Sequence, residues 1–279
     1  MKRVLTIVAA AVVLIGCSQN ELLIPRTEVT FGPSTVSTKA LINPWGSENG
    51  EISFPEAESF AVSAIVDDNP NNFLMNNVVI ENKEGEWKAA SDNVYLWPEK
   101  GTVDFYAYYP YSADNAELKM VNETFRWNLA NVNLGSTIGE QADPLVATTN
   151  DQIATEMPIV KMVFKHISSQ VVVTARDATT RDELKGKIRL KEVRVGGVSV
   201  TGDYLDGPEP GKGGEWSNLD NTTEFVLFSG DEYLTQEDRY LSIDSLTSLQ
   251  DKSALFVVVP TPLKVDIQTL SVVYDIDEF

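Results

Sequence analysis

Val94-Tyr95-Leu96-Trp97-Pro98-Glu99-Lys100-Gly101-Thr102-Val103-Asp104-Phe105-Tyr106-Ala107-Tyr108-Tyr109-Pro110 is the most distinctive stretch of the chain. It reads as strand, tight turn, strand. The period-2 rule puts Val103, Phe105, Ala107 and Tyr109 on one face. Asp104, Tyr106 and Tyr108 fall on the other. Aromatics at this density bury large areas when a second sheet faces them. A row of tyrosines is also a sugar-stacking platform. The core reading is favoured, because aromatics in strand register usually meet a facing sheet.

On the N-terminal side, Phe60 to Val66 is a strand whose small apolar residues predict burial on both faces. Val78 to Glu81 and Gly85 to Lys88 predict a hairpin across Asn82-Lys83-Glu84. On the C-terminal side, residues 111–142 are polar, with one short strand around Thr124 to Leu129. Ile153 to Pro158 reads as a connector between domains. Val160, Met162, Phe164 and His166 then share a strand face, followed by a strand over Gln170 to Ala175. One helical turn is expected around Asp182 to Lys185. Ile188-x-Leu190 and Val193-x-Val195 are out of step by one residue, which predicts a β-bulge near Lys191-Glu192. Gly196-Gly197 is expected to end that strand, with Val198 to Val200 resuming as a hairpin. Further strands are expected at Thr223 to Phe228, Leu255 to Val259, Leu263 to Ile267 and Leu270 to Ile276, and a short helix within 234–250. Many short strands with frequent turn signals predict an all-β chain. The expected architecture is two β-sandwich domains of transthyretin-like, Greek-key type, with long loops and little helix.

The N-terminus carries a different message. Lys2 and Arg3 precede the apolar run Val4 to Ile15, which is too short for a mature membrane span. The run ends in Leu14-Ile15-Gly16-Cys17, the lipobox pattern of bacterial lipoprotein signals: a small residue before the cut and a thiol after it to take diacylglycerol. Cys17 is the sole cysteine. The competing reading is a plain secretory signal that happens to hold a cysteine. Residues 1–16 are therefore assigned as signal peptide, 17–39 as lipid tether and N-terminal strand, 40–158 as the first domain and 159–279 as the second.

Composition narrows the function. With 22 basic against 41 acidic residues the formal charge is −19, which disfavours nucleic acid as a partner. There is no G-x-S-x-G elbow, P-loop or dinucleotide fingerprint. His166 is the only histidine, so it lacks the companions a zinc site needs. It reads as a structural hydrogen-bond donor at a strand end, with general base as the alternative. Asp203, Asp206 and Glu209 share an acidic loop but lack the EF-hand pattern for calcium. No catalytic, cofactor-binding or metal-binding residue is assigned, and the chain is expected not to be an enzyme.

Leu96-Trp97-Pro98 followed by Val103-x-Phe105-Tyr106-Ala107-Tyr108-Tyr109-Pro110 resembles the fimbrillin family, the lipoprotein-derived subunits, anchors and tips of type V pili. Phe60-Ala61-Val62-Ser63-Ala64, Asp143-Pro144-Leu145-Val146-Ala147 and Val160-x-Met162-x-Phe164-x-His166-Ile167-Ser168 resemble further segments of the same family, in the same order. The resemblance implies export as a lipoprotein anchored in the outer membrane through Cys17, then assembly with other fimbrial subunits by strand addition, serving adhesion to a host protein or glycan. It implies no cofactor. It also implies that the first strand, Val29-x-Phe31 with Val36, fills a groove until a protease cuts after a basic residue. Lys39-Ala40 sits where that cut is expected. The family often has Arg there, so an alternative stays open in which the strand is kept, as in an anchor. The alternative function is a non-catalytic, lipid-anchored surface module that binds glycan or host protein. Family members usually continue past the strand matching Leu270 to Ile276, so an end-piece or an incomplete subunit is expected.

Overall fold

The structure, a computed structural model, describes residues 27–36, 51–54, 56–137, 141–153, 159–208, 212–220, 223–242, 245–247, 255–260 and 268–277. Cys17, Lys39 and Ala40, and the expected strand over Leu263 to Ile267, lie outside the described residues. Nearly all regular structure is β. The first half holds β1 (Thr30–Val36), β2 (Glu51–Ser53), β3 (Ser59–Val66), β4 (Phe73–Lys83), β5 (Glu86–Ala89), β6 (Val103–Tyr109), β7 (Ala116–Val121), β8 (Thr124–Asn133) and β9 (Leu145–Gln152). Next come β10 (Ile159–His166), β11 (Ser169–Val172), β12 (Thr174–Ala175), β13 (Ile188–Val198), β14 (Thr201–Leu205) and β15 (Glu215–Ser217). The chain closes with β16 (Thr223–Tyr233), β17 (Arg239–Ser242), β18 (Ser245–Thr247), β19 (Leu255–Val258) and β20 (Thr269–Ile276). The helical turn expected near Asp182 is present as a 3-10 turn, Asp182–Leu184.

The first sheet runs β10-β9-β6-β3-β4-β5-β1, and β1 then pairs with β10, so seven strands close into a barrel. β2 attaches beside β1 at Ser34 to Val36. A pair of facing sheets was expected here; instead the twisted sheet curls until its margins meet, which removes its open edges. Neighbours are antiparallel throughout, except that β1 runs parallel to β10. A four-stranded sheet, β15-β14-β8-β7, lies outside the barrel. β14 and β8 come from opposite sides of residue 158, and so do β10 and the strands it joins.

This layering explains the opening stretch. All seven residues of β6 are buried. Val103, Phe105, Ala107 and Tyr109 face the barrel interior with Phe31, Phe60 and Phe164. Tyr106 and Tyr108 face outward, against Phe125, Trp127 and Tyr204 of the second sheet. The ring of Tyr108 meets Trp127 edge-on at 4.6 Å. Thus Tyr106 and Tyr108 are core, with 5% and 2% of their surface exposed, and no sugar platform exists on this strand. β3 is enclosed in the same way, as its small apolar residues predict. A third core gathers Leu190, Val193, Phe225, Leu227, Phe228 and Leu241 around β13 and β16.

Several local expectations hold. The expected β4–β5 hairpin forms, but Asn82 and Lys83 stay in β4 and the turn is Glu84-Gly85, both at positive φ. The bulge falls between Leu190 and Glu192, against both neighbours of β13. Others fail for identifiable reasons. Val94 to Pro98 is not a strand of the hairpin. Pro98 removes a donor, and only Leu96 makes a bridge, to Glu28. The segment is strapped instead by Val29 N–H to Tyr95 O at 2.8 Å and Trp97 N–H to Thr27 O at 3.0 Å, with Trp97 sunk in the barrel core. The turn after it needs Gly101: its φ is 91°, and a Cβ there would lie 2.3 Å from Asp67 Oδ1. β13 does not stop at Gly196-Gly197; it runs on to Val198, which pairs with Thr223. Nor is 234–250 helical where described: Leu241 and Leu246 sit opposite each other in a β17–β18 hairpin. Their five-residue spacing suits cross-strand partners better than one helix face.

Phe31 tests the closure directly. Its ring packs edge-on against Phe60 at 6.1 Å and Phe105 at 5.7 Å. Phe31→Ala is expected to destabilise the chain that retains β1 by about 3–5 kcal/mol, read as a lower urea midpoint with unchanged slope.

Candidate functional site

The seam of the barrel is the candidate site. Six consecutive residues of β1, Thr30 to Thr35, register against Ile159 to Phe164 of β10. On the other side β1 meets β5 at Phe31↔Trp87 and β2 at Ser34↔Ser53. Alternation sends Val29 and Phe31 inward, where they are 2% and 3% exposed. Gly32 lies on the outer side, where a Cβ would come 3.3 Å from Ile159. The inner wall is aromatic. Phe54 meets Phe60, Trp87, Tyr109 and Phe164 with ring centroids 5.2–5.5 Å apart. Chemically the seam is a slot with backbone donors and acceptors on both margins and an apolar floor. It suits an extended peptide and offers no reacting group.

The other singled-out residues are spread over the molecule. His166 ends β10. Its Nδ1 lies 2.5 Å from Asp143 Oδ2, and Ser168 Oγ donates to Asp143 Oδ1 at 2.5 Å. Both partners point at the carboxylate, so Ser168 and His166 are joined through Asp143 and not as a nucleophile–base pair. Burial opposes the charged imidazolium, but the hydrogen bond to Asp143 and its negative charge together outweigh it, and the His166 pKa lies above the usual value of 6.5. Asp203 and Asp206 do not form a cation site. Asp203 accepts hydrogen bonds from Asn131 N–H at 2.7 Å and Asn218 Nδ2 at 2.6 Å. These hold its carboxyl below the usual range. Asp206 pairs with Lys165 Nζ at 3.0 Å and accepts from Gly207 N–H and the Tyr204 hydroxyl. Glu209 lies outside the described residues. Among the described residues no group of three or more His, Cys, Asp or Glu is placed to hold a metal ion, and no helix is long and apolar enough to cross a membrane.

Sequence reading missed two features. The first is that β10 lines the seam; its inward row Val160, Met162, Phe164 complements Val29 and Phe31, but no local signal joins segments so far apart. The second is Asp104. It sits on the outward face of β6, 6% exposed, and accepts the Asp151 N–H at 2.6 Å. Burial, only partly offset by that hydrogen bond and reinforced by the Asp68 carboxyl, pushes its pKa from 3.8 up to about 6.

Two titrations follow. The folded state holds the Asp104 proton more tightly than the unfolded chain, so stability falls as pH rises from 3.8 to about 6 and stays lower above it. Asp104→Asn is expected to flatten that slope and to gain about 1 kcal/mol near neutral pH, measured as melting temperature against pH. For His166 the sign is the same but the window is higher. Its pairing stabilises fully below 6.5 and is lost as pH rises through the raised folded value. The Cε1–H resonance of this sole histidine is expected to titrate above 6.5, with a lower midpoint in Asp143→Asn.

A family profile described as Fimbrillin-like matches residues 38–278. Several solved structures are similar, among them two fimbrial proteins. A fimbrial protein from Bacteroides vulgatus is 13% identical, with 88% of this chain and 87% of that one covered and a TM-score of 0.49. The fimbrial anchor protein Mfa2 from Porphyromonas gingivalis is 15% identical, with 75% and 76% covered and a TM-score of 0.32. No curated protein sequence matches significantly. The molecule is thus an all-β protein of a structural, non-enzymatic kind. The chain belongs to the fimbrillin-like family, whose setting is the cell surface and the fimbrium.

Proposed function

We propose that this protein is a fimbrial subunit or accessory component, exported as a lipoprotein through Cys17 and assembled by strand addition in the service of adhesion. The observation that carries the reading is β1. It closes the barrel between β10 on one side and β5 and β2 on the other, and it lies entirely upstream of Lys39. Cleavage at Lys39-Ala40 would detach the whole strand together with the lipidated tether 17–39. It would leave two margins of unpaired backbone and a floor of aromatic side chains. A strand from a neighbouring subunit restores both sets of interactions at once, main chain for affinity and inward side chains for fit. The second half of the chain, with β16-β13-β20 as one sheet and the shorter strands around Leu241 and Val258 as the other layer, fits a sandwich.

A second reading keeps β1 in place, in a permanently lipid-anchored surface protein that binds a host protein or glycan. The strap from Thr27 and Val29 to Trp97 and Tyr95 favours it, because it ties the strand to the barrel beyond the sheet pairing. Mass spectrometry of the surface form separates the two. Under the first reading, assembled material begins at Ala40, membrane-bound precursor begins at acylated Cys17, and Lys39→Ala leaves only the precursor. Acylated Cys17 in all surface material, with Lys39→Ala unchanged, would leave the second.

A further inference from the structure

β20 is the last described strand and forms one margin of the sheet β16-β13-β20. Among the described residues it pairs only with β13, from Ile188↔Ile276 to Gly196↔Thr269. Alternation puts Leu270, Val272, Tyr274 and Ile276 on one face, and the bulge at Lys191 brings Ile188 and Leu190 of β13 to the same side as Val193 and Val195. The four β20 residues stand opposite Val195, Val193, Leu190 and Ile188, which pack in or against the third core. This is the core-facing side of the sheet, yet the four side chains are 62%, 48%, 55% and 47% exposed. Val273, on the reverse face, is 48% exposed. Leu270 and Val272 form one wall of an open groove of about 510 Å³, opposite Val173, Ala175 and Leu241.

An apolar margin of this kind is normally blunted by lysine, proline or a covering segment. β20 contains neither lysine nor proline. Its one charge, Asp275, is directed back into its own sheet: Lys191 Nζ lies 3.4 Å and Arg189 3.8 Å from its carboxylate. The next acid, Asp277, accepts from Arg189 Nε at 2.9 Å and from the Tyr233 hydroxyl. The acids at this end are therefore partly neutralised by β13, whose Arg189 and Lys191 are shared among Asp231, Asp275 and Asp277.

We infer that the β20 margin pairs with β20 of a second copy, antiparallel about a two-fold axis at Val273. The sequence is self-complementary in that register. Leu270 falls opposite Ile276 and Val272 opposite Tyr274, on the apolar face. Ser271 falls opposite Asp275 and Thr269 opposite Asp277, so no acid meets an acid. Val273 meets its own counterpart. The three-stranded sheets join into one continuous sheet across the axis. The interface is isologous and closes at two copies, unlike addition of a strand at the barrel seam, which is heterologous and propagates. The two surfaces are at different sheets, so one does not depend on the other.

Sedimentation velocity on the full chain carrying Cys17→Ser, which removes any acyl contribution, tests this. A contact this small predicts a reversible monomer–dimer equilibrium with Kd of roughly tens of micromolar. Val273→Lys places two lysines face to face, and Val273→Glu two glutamates; each is expected to weaken dimerisation at least about tenfold. An equimolar mixture of the two variants is expected to form the heterodimer again, which neither a misfolded variant nor a contact elsewhere would reproduce. A wild-type chain monomeric at about 0.5 mM, dimers that persist in Val273→Lys, growth beyond two copies, or failure of the mixture to re-form the heterodimer would each overturn the inference.

Discussion

The fold rests on the need of every buried backbone N–H and C=O for a partner. Six strands of the first sheet satisfy one another in antiparallel order, and that leaves two margins, β10 and β5, facing across a gap. β1 occupies it. Being parallel to β10 and antiparallel to β5, it is not a hairpin extension of either. It arrives from a distant part of the chain and lies between strands that fold around it. Its hold is therefore of two kinds: main-chain pairing along β10, and two inward side chains, Val29 and Phe31, in an aromatic interior. Edge-to-face ring contacts add about 0.5–1.5 kcal/mol each beyond the area they bury. The same division between uniform backbone pairing and a few deep side chains makes the position replaceable by another strand of suitable pattern.

The second constraint is that the barrel's outer wall is also buried. β3 and β6 have a core on each side, one inside the barrel and one beneath the β15-β14-β8-β7 sheet. Such strands cannot alternate between apolar and polar. They must be apolar or aromatic throughout, and each polar atom among them needs a named partner. Tyr108 OH donates to Ser112 O or Asn77 Oδ1, Ser63 Oγ accepts Asn77 N–H, and Asp104 accepts Asp151 N–H. Asp104 is the costly member, since its burial favours the proton-bound form.

Much of this was legible residue by residue. The faces of β6 follow from alternation, the β4–β5 hairpin from two short strand runs around residue 84, and the bulge of β13 from a one-residue slip between two apolar pairs. These are local signals that tertiary packing reinforces. Long-range pairing was not legible. Nothing near Thr201–Leu205 says that it joins Thr124–Asn133, and nothing near Ile159–His166 says that it closes a barrel with Thr30–Val36. Gly196-Gly197 misled because a glycine pair is a turn signal only when neighbouring strands do not hold it; here β16 and β20 flank the strand and carry it through. For the site, Val29 and Phe31 were readable as a strand, but their seat between β10 and β5 required the fold.

The two ends of the described chain meet the same edge problem with opposite results. At the start, β1 is drawn between two margins and its large side chains are hidden. At the finish, β20 has one neighbour among the described residues, and its large side chains remain in water although they point to the core side of their sheet. Burial of an apolar side chain yields about 25 cal/mol per Å², so the difference between the two is a difference in stored driving force. A filled seam releases nothing until its strand is removed. An open margin is ready to associate as it stands. The charge pattern follows this asymmetry: Arg189 and Lys191 are spent on acids of β16, β20 and the residue after it, rather than on the surface at large. In so acidic a chain, placing scarce bases there reduces the repulsion that a second strand would meet at that margin.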